Sequence, residues 1–155
     1  MKLSIGNEAP DFTLYDSAKQ PFHLHDHRGH YVVLVFFPLA FTGTCTKQLC
    51  SMNDDFSVYT DMKATVVGIS VDSWATLAKY KEELKLDITL LSDFNKEVSA
   101  DYGCLYDSFM IGMKGVSKRS AFVIDPAGIL VHQEVLEDAS QLPDAEAIKN
   151  SITTI

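Results

Sequence analysis

The chain has 155 residues, 46% of them hydrophobic and 22% charged, with a formal net charge of -8. That size and balance fit a single domain, residues 1–155, with a buried core, and the negative charge excludes a surface built for nucleic-acid phosphates or for an acidic membrane. The three cysteines are few and odd in number, which excludes a disulfide-stapled secreted scaffold.

Residues 1–11 carry Glu8, Pro10 and Asp11 and no apolar run, so no signal peptide is expected. Phe12-Thr13-Leu14-Tyr15 alternates apolar and polar as a half-buried strand does. Residues 16–20 read as a turn, and Phe22-His23-Leu24 resumes the alternation, which predicts an N-terminal β-hairpin. Residues 26–30 read as a polar loop. Tyr31-Val32-Val33-Leu34-Val35-Phe36-Phe37 predicts a strand buried on both faces and ended by Pro38. The longest apolar run, residues 31–41, is interrupted by that proline and is far short of the ~20 residues that span a bilayer. A cytoplasmic location is therefore expected.

Leu49, Met52, Phe56 and Tyr59 are spaced by three and four and predict one amphipathic helix over 44–61. Residues 65–71 predict the next buried strand. A helix over 74–86 follows, with Asp72 or Ser73 as its cap. A short strand over 88–91 and a short helix over 95–102, ended by Gly103, come next. Strands over 120–124 and 129–136 flank the turn Asp125-Pro126-Ala127-Gly128. A closing helix over 143–151 has Pro143 in its first turn. The order predicts an α/β fold with a central mixed sheet flanked by helices, compatible with a thioredoxin-like arrangement.

The chemistry concentrates where the strand over 31–37 runs through a loop into a helix start at Cys45. The first turn of a helix offers unpaired N–H groups and a partial positive charge. Those groups stabilise a thiolate, the nucleophilic form of cysteine. Thr42 stands three residues before Cys45, within hydrogen-bonding reach of a sulfur or oxygen placed above it. Cys50 lies in the same helix. A five-residue step turns a helix by about 140° net and rises about 7.5 Å, which sets the two Cα atoms roughly 8.7 Å apart. A disulfide needs less than about 7 Å, so the two thiols meet only if the first turns unwind. On position alone, two readings of these cysteines stay open: reactive thiols, or small apolar packing residues.

Pro38, Thr42 and Cys45 match the pattern Pro-x-x-x-Thr-x-x-Cys, and the chain here resembles the peroxiredoxin (AhpC/TSA) family. Phe36-Phe37-Pro38-Leu39-Ala40-Phe41-Thr42-Gly43 is similar to the E-type (alkyl hydroperoxide reductase E) version of that loop. Ala9-Pro10-Asp11-Phe12 resembles the opening motif of the family, and Val67-Gly68-Ile69-Ser70-Val71-Asp72-Ser73 the strand after the active-site helix. Arg119, before Ser120-Ala121-Phe122-Val123-Ile124-Asp125, stands where the family carries its active-site arginine.

The resemblance implies a thioredoxin-like fold and a thiol-dependent peroxidase that needs no cofactor and no metal. Cys45 would be the peroxidatic thiolate. Thr42 would hydrogen-bond the peroxide and the sulfur, Pro38 would shield the thiolate from bulk water, and Arg119 would hold the thiolate and polarise the O–O bond. The substrates would be hydrogen peroxide and alkyl hydroperoxides. Cys50 resembles the resolving cysteine of the Q-type (bacterioferritin comigratory protein) members. It would form an intramolecular disulfide for thioredoxin or a low-molecular-weight thiol to reduce. Gln48 stands where many relatives carry glutamate. The oligomer expected from the resemblance is a monomer or a homodimer.

Other candidates lie outside this motif. Cys104 reads as a packing thiol, with an alternative role as resolver for Cys45. His23, His25, His27 and His30 cluster within eight residues; His23, His25 and His27 would share one side, at a spacing that could bind zinc or copper, if that segment stays extended, and the cluster otherwise reads as a solvated hairpin end and loop. Three other functions compete. A thioredoxin-type oxidoreductase conflicts with the Cys-x4-Cys spacing. A cysteine hydrolase requires a histidine base, for which only His132 lies outside the cluster. A redox sensor would oxidise once without turning over.

Overall fold

A computed structural model describes residues 3–152. Met1 and Lys2, the start of the segment read above for a signal peptide, lie outside the described residues. Among the described residues seven strands form one mixed sheet: β1 (Thr13–Asp16), β2 (Pro21–His23), β3 (Tyr31–Phe36), β4 (Ala64–Ser70), β5 (Thr89–Ser92), β6 (Ser120–Ile124) and β7 (Leu130–Val135). The spatial order is β2-β1-β5-β4-β3-β6-β7. The central β3, β4 and β5 are parallel, and the pairs β1–β2, β1–β5, β3–β6 and β6–β7 are antiparallel. Among the described residues five α-helices accompany them: α1 (Gly43–Asp54), α2 (Phe56–Asp61), α3 (Trp74–Leu84), α4 (Glu97–Asp101) and α5 (Ala145–Ser151).

The continuous apolar run of β3 is explained by burial on both faces. Val33, Val35 and Phe37 pack on one side with Leu49 and Met52 of α1, Leu77 and Tyr80 of α3 and Ile148 of α5. Val32, Leu34 and Phe36 pack on the other with Phe12, Phe22, Val98 and Tyr102. The expected α/β class, central mixed sheet, flanking helices and N-terminal hairpin are all present.

Gly68 of β4 explains how α1 sits so close to the sheet. A Cβ built there would lie 2.9 Å from Leu90 Cδ2 and 3.2 Å from Leu49 Cδ2. Only glycine leaves room for Leu49, four residues after Cys45, to press onto the strand.

Several boundaries depart from the sequence expectation. The single helix over 44–61 is two, broken at Asp55, which ends α1 and starts α2. The run Asn53-Asp54-Asp55 favours helix ends because these side chains compete for backbone partners. Asn53 Oδ1 accepts from Asp87 N at 2.7 Å, and the Asp55 carboxylate accepts from Lys149 Nζ at 2.8 Å. Ser73, rather than Asp72, caps α3, its hydroxyl accepting from Thr76 N at 3.2 Å. The last helix begins after Pro143: Asp144 is its cap and accepts from Glu146 N and Ala147 N. The helix expected over 95–102 shortens to α4 because Lys96 takes a left-handed conformation (φ 67) at its start. Finally, the hairpin does not continue past His23, since Leu24–His27 forms a 3-10 turn.

Candidate active site

The site forms at the C-terminal end of β3. Phe37 N still donates to Ile69 O at 3.0 Å, then Pro38 ends the sheet pairing and the chain turns across the strand ends. Asp72, in the loop after β4, anchors this turn. Its Oδ2 accepts from Ala40 N at 2.8 Å and from Ser70 Oγ at 2.7 Å. Phe41 adopts a left-handed backbone (φ 65), uncommon for a bulky residue, and its ring lies 4.9 Å from that of Tyr80. The Tyr80 hydroxyl pairs with Thr46 Oγ1 at 2.8 Å, tying the first turn of α1 to α3.

Thr42 is the N-terminal cap residue of α1 by backbone conformation, but its side chain does not cap the helix. Its Oγ1 donates to Leu39 O at 2.8 Å, which leaves the oxygen lone pairs free to accept. Gly43, Thr44 and Cys45 occupy the first turn, where N–H groups lack intrahelical partners. All three line a cavity of ≈ 280 Å³ with Pro38, Thr42 and Arg119.

Arg119, one residue before β6, comes up from the adjacent strand and is 2% exposed. Each side of its guanidinium has a defined acceptor. Nη2 donates to Cys45 Sγ at 3.2 Å, Nη1 to Gln48 Oε1 at 2.6 Å, and Nε to Ala139 O at 3.0 Å. Gln48 follows Cys45 by three residues on α1 and is itself buried, at 3%. A fork held at three points cannot rotate, so Nη2 stays aimed at the sulfur. None of these three acceptors is a carboxylate.

The structure thus brings together Pro38, Thr42, Cys45, Gln48 and Arg119. It sets Cys50 apart: that residue is half-buried, further along the unbroken helix α1, and all three cysteines are free. Cys104 lies beneath the opposite face of the sheet, with Tyr102 and Phe122. Burial pushes its thiol up to about 12, and nothing brings it toward Cys45. The shared face of His23, His25 and His27 does not form, because the 3-10 turn breaks the extended run it required. His23 Nδ1 pairs with Thr13 Oγ1 at 2.8 Å. His27 stacks on Phe22 with ring centroids 4.4 Å apart, and burial lowers its pKa. His132 sits on β7 beside Glu134, and no histidine is among the described residues lining the cavity.

Three parts of the site were not read from the sequence. Asp72 reads from the sequence as a helix cap and as part of the motif over 67–73; as an anchor for the active-site loop it gives no local signal, since Ala40 lies 32 residues away. The cavity wall made by Phe109 and Met110, and the one made by Ala139 and Ser140, come from segments with no periodic pattern. The one available hint was the apolar cluster Phe109-Met110-Ile111 in an otherwise polar stretch.

Residues 5–133 match the AhpC/TSA family. The mitochondrial thioredoxin-dependent peroxide reductase of Drosophila melanogaster is 37% identical over 138 residues, covering 83% of this chain and 57% of that protein. The chloroplastic 2-cysteine peroxiredoxin of Chattonella marina is 34% identical over 146 residues, covering 87% of this chain and 72% of that one. The crystal structure of peroxidoxin BcpB from Mycobacterium tuberculosis superposes with a TM-score of 0.81 at 32% identity, over 95% of this chain and 93% of that chain. AhpC of Enterococcus faecalis shares the fold, with a TM-score of 0.85 at 21% identity over 98% and 91% of the two chains. With the Cys45–Arg119 pair at the helix start and family similarity running through most of its length, the chain belongs to the AhpC/TSA family, the peroxiredoxins.

Proposed function

We propose that this protein is a thiol-dependent peroxidase that reduces hydrogen peroxide and organic hydroperoxides at Cys45. The observation that carries the reading is the 3.2 Å contact from Arg119 Nη2 to Cys45 Sγ at the floor of an open cavity. The Cys45 thiolate attacks the terminal peroxide oxygen. The S–O bond forms as the O–O bond breaks, and the leaving oxygen takes a proton and departs as water or alcohol. Cys45 is left as a sulfenic acid, oxidised by two electrons. Charge developing on the two oxygens is stabilised by the Arg119 guanidinium and by the first-turn N–H groups of α1. Thr42 accepts a hydrogen bond from the O–H of the bound peroxide, and Pro38, buried in the lining of the same cavity, limits bulk water.

Cys50 then attacks the sulfenic sulfur, releasing water and forming an intramolecular disulfide. Both thiols lie in the continuous helix α1, so this step requires its first turns to unwind. Release of the Ala40–Asp72 and Thr46–Tyr80 hydrogen bonds accompanies that unwinding. A thioredoxin-like dithiol reduces the disulfide by exchange; the name of the Drosophila relative supports that choice of reductant. Three free cysteines and a cycle that ends in thiols suit the reducing cytoplasm. If the helix holds, the resolving thiol comes from a separate molecule, and the protein works as a one-cysteine enzyme.

One equivalent of hydrogen peroxide, added to reduced protein and to a Cys50→Ser variant, separates these by intact mass. Loss of two hydrogens in the parent, with gain of one oxygen in the variant, is the expected result. Gain of one oxygen in both assigns resolution to an external thiol. No change in either over minutes refutes the peroxidase reading.

A further inference from the structure

The cavity above Cys45 is larger than hydrogen peroxide requires. At about 30 Å³ per water-sized unit, a two-oxygen molecule fills roughly 60 Å³, against ≈ 280 Å³ here. Polar groups reach the cavity from Thr42, Thr44, Arg119 and Ser140. The rest of the lining is largely carbon, with Leu39 from the active-site loop and Phe109 and Met110 from a separate segment.

Those two residues sit on a small hairpin outside the sheet. Phe109 N donates to Met113 O at 2.7 Å, and Met113 N to Phe109 O at 2.8 Å. The hairpin is braced at its base, where the Phe109 ring stacks on Tyr106 with centroids 4.9 Å apart. The Tyr106 hydroxyl in turn donates to Glu137 O at 2.7 Å. Phe109 is therefore held in place as a half-buried wall. Met110 is 70% exposed at the rim, a flexible thioether with nothing else to cover. Ile111, at the tip and 96% exposed, does not line the cavity. Leaving a methionine at a carbon-walled mouth costs free energy in water, and an apolar ligand seated against it recovers that cost.

We propose that Phe109 and Met110 are specificity-determining residues, which hold the carbon tail of an organic hydroperoxide against the hairpin and favour it over hydrogen peroxide. The inference rests on the peroxidase reading. The tail occupies the carbon-walled part while the peroxide oxygens reach Cys45 and Arg119. Hydrogen peroxide has no group to place there, and the contact contributes nothing to its reduction. The bond changes are those already given, with the alcohol of the organic hydroperoxide as leaving group.

The test is the ratio of second-order rate constants for oxidation of Cys45 by cumene hydroperoxide and by hydrogen peroxide. It is measured by rapid quench and intact mass on the reduced parent and on Phe109→Ala, Met110→Ser and Ile111→Ser. Because the ratio is internal to each sample, a partly unfolded fraction cancels. The parent is expected to favour cumene hydroperoxide by about tenfold or more, the discrimination a few apolar contacts supply. Phe109→Ala and Met110→Ser each lower the ratio by about tenfold, and Ile111→Ser keeps the parent value. A ratio near one in the parent overturns the inference. So does a ratio unchanged in both pocket variants, or one that falls equally in Ile111→Ser. In each of those cases hydrogen peroxide is still reduced and the peroxidase reading stands. Failure of the parent to react with either peroxide overturns both.

Discussion

Replacing Arg119 probes the centre of the mechanism, and its contacts set the magnitude. Arg119→Met keeps much of the buried volume and removes all three donated hydrogen bonds, those to Cys45 Sγ, Gln48 Oε1 and Ala139 O. Loss of one preorganised donor at a site of developing charge costs about 10²–10³ in rate. Here the donor also carries the site's positive charge, so the upper part of that range applies. Arg119→Lys keeps a charge, but one ammonium cannot span three acceptors in three directions; about a tenfold to hundredfold loss is expected. Stability moves differently. The methionine removes a buried cation but orphans the buried Gln48 Oε1, at about 1–3 kcal/mol, and the half-buried Ala139 O at less, so the urea midpoint falls. The assay is stopped-flow oxidation of Cys45 by excess hydrogen peroxide, with urea unfolding alongside. An Arg119→Met rate within threefold of the parent, in a folded protein, would refute the assignment of the guanidinium to the reaction.

Gly68→Ala is expected to destabilise by about 1–3 kcal/mol through overpacking. Its Cβ would meet Leu90 and Leu49, both fully buried, and an unchanged urea midpoint would contradict the close seating of α1. Asp72→Ala removes the acceptor for Ala40 N and Ser70 Oγ. Amide exchange at Ala40 should quicken, with a stability loss on the order of 1–3 kcal/mol; unchanged exchange would place the loop anchor elsewhere. Stability should also fall at alkaline pH. Burial raises Cys104, Tyr59 and Tyr80 to about 12 in the folded protein, so above the ordinary thiol and phenol values the unfolded chain binds fewer protons than the folded one. Stability is therefore complete below about pH 8.5 and declines toward pH 12. Equal urea midpoints at pH 7.5 and 10.5 would contradict the burial of these groups.

The fold class was legible in the sequence because the central strands are buried on both faces and their runs of Val, Leu and Phe need no partner to be recognised. The position of Cys45 at a helix start was legible too, since Pro38 ends a strand and the spacing of three and four resumes within a few residues. The match to Pro38, Thr42 and Cys45 named the chemistry, and Arg119 was found only because four other segments matched in order; as a residue beside Lys118 it carries no periodic signal. What tertiary structure decided was contact across distance. Gln48 became the acceptor for Arg119 because α1 and β6 pack together, 71 residues apart in the chain. Asp72 became a loop anchor instead of a cap, and Cys104 was placed on the far side of the sheet from Cys45. The histidine run lost its shared face when Leu24 turned inward to the core and wound the following residues into a 3-10 turn. Local spacing encodes which face of an element is apolar; which side chains of different elements meet is set by how those faces pack, and that is why the place of Cys45 at a helix start was readable from the sequence while its contact with Arg119 and the far walls of its cavity were not.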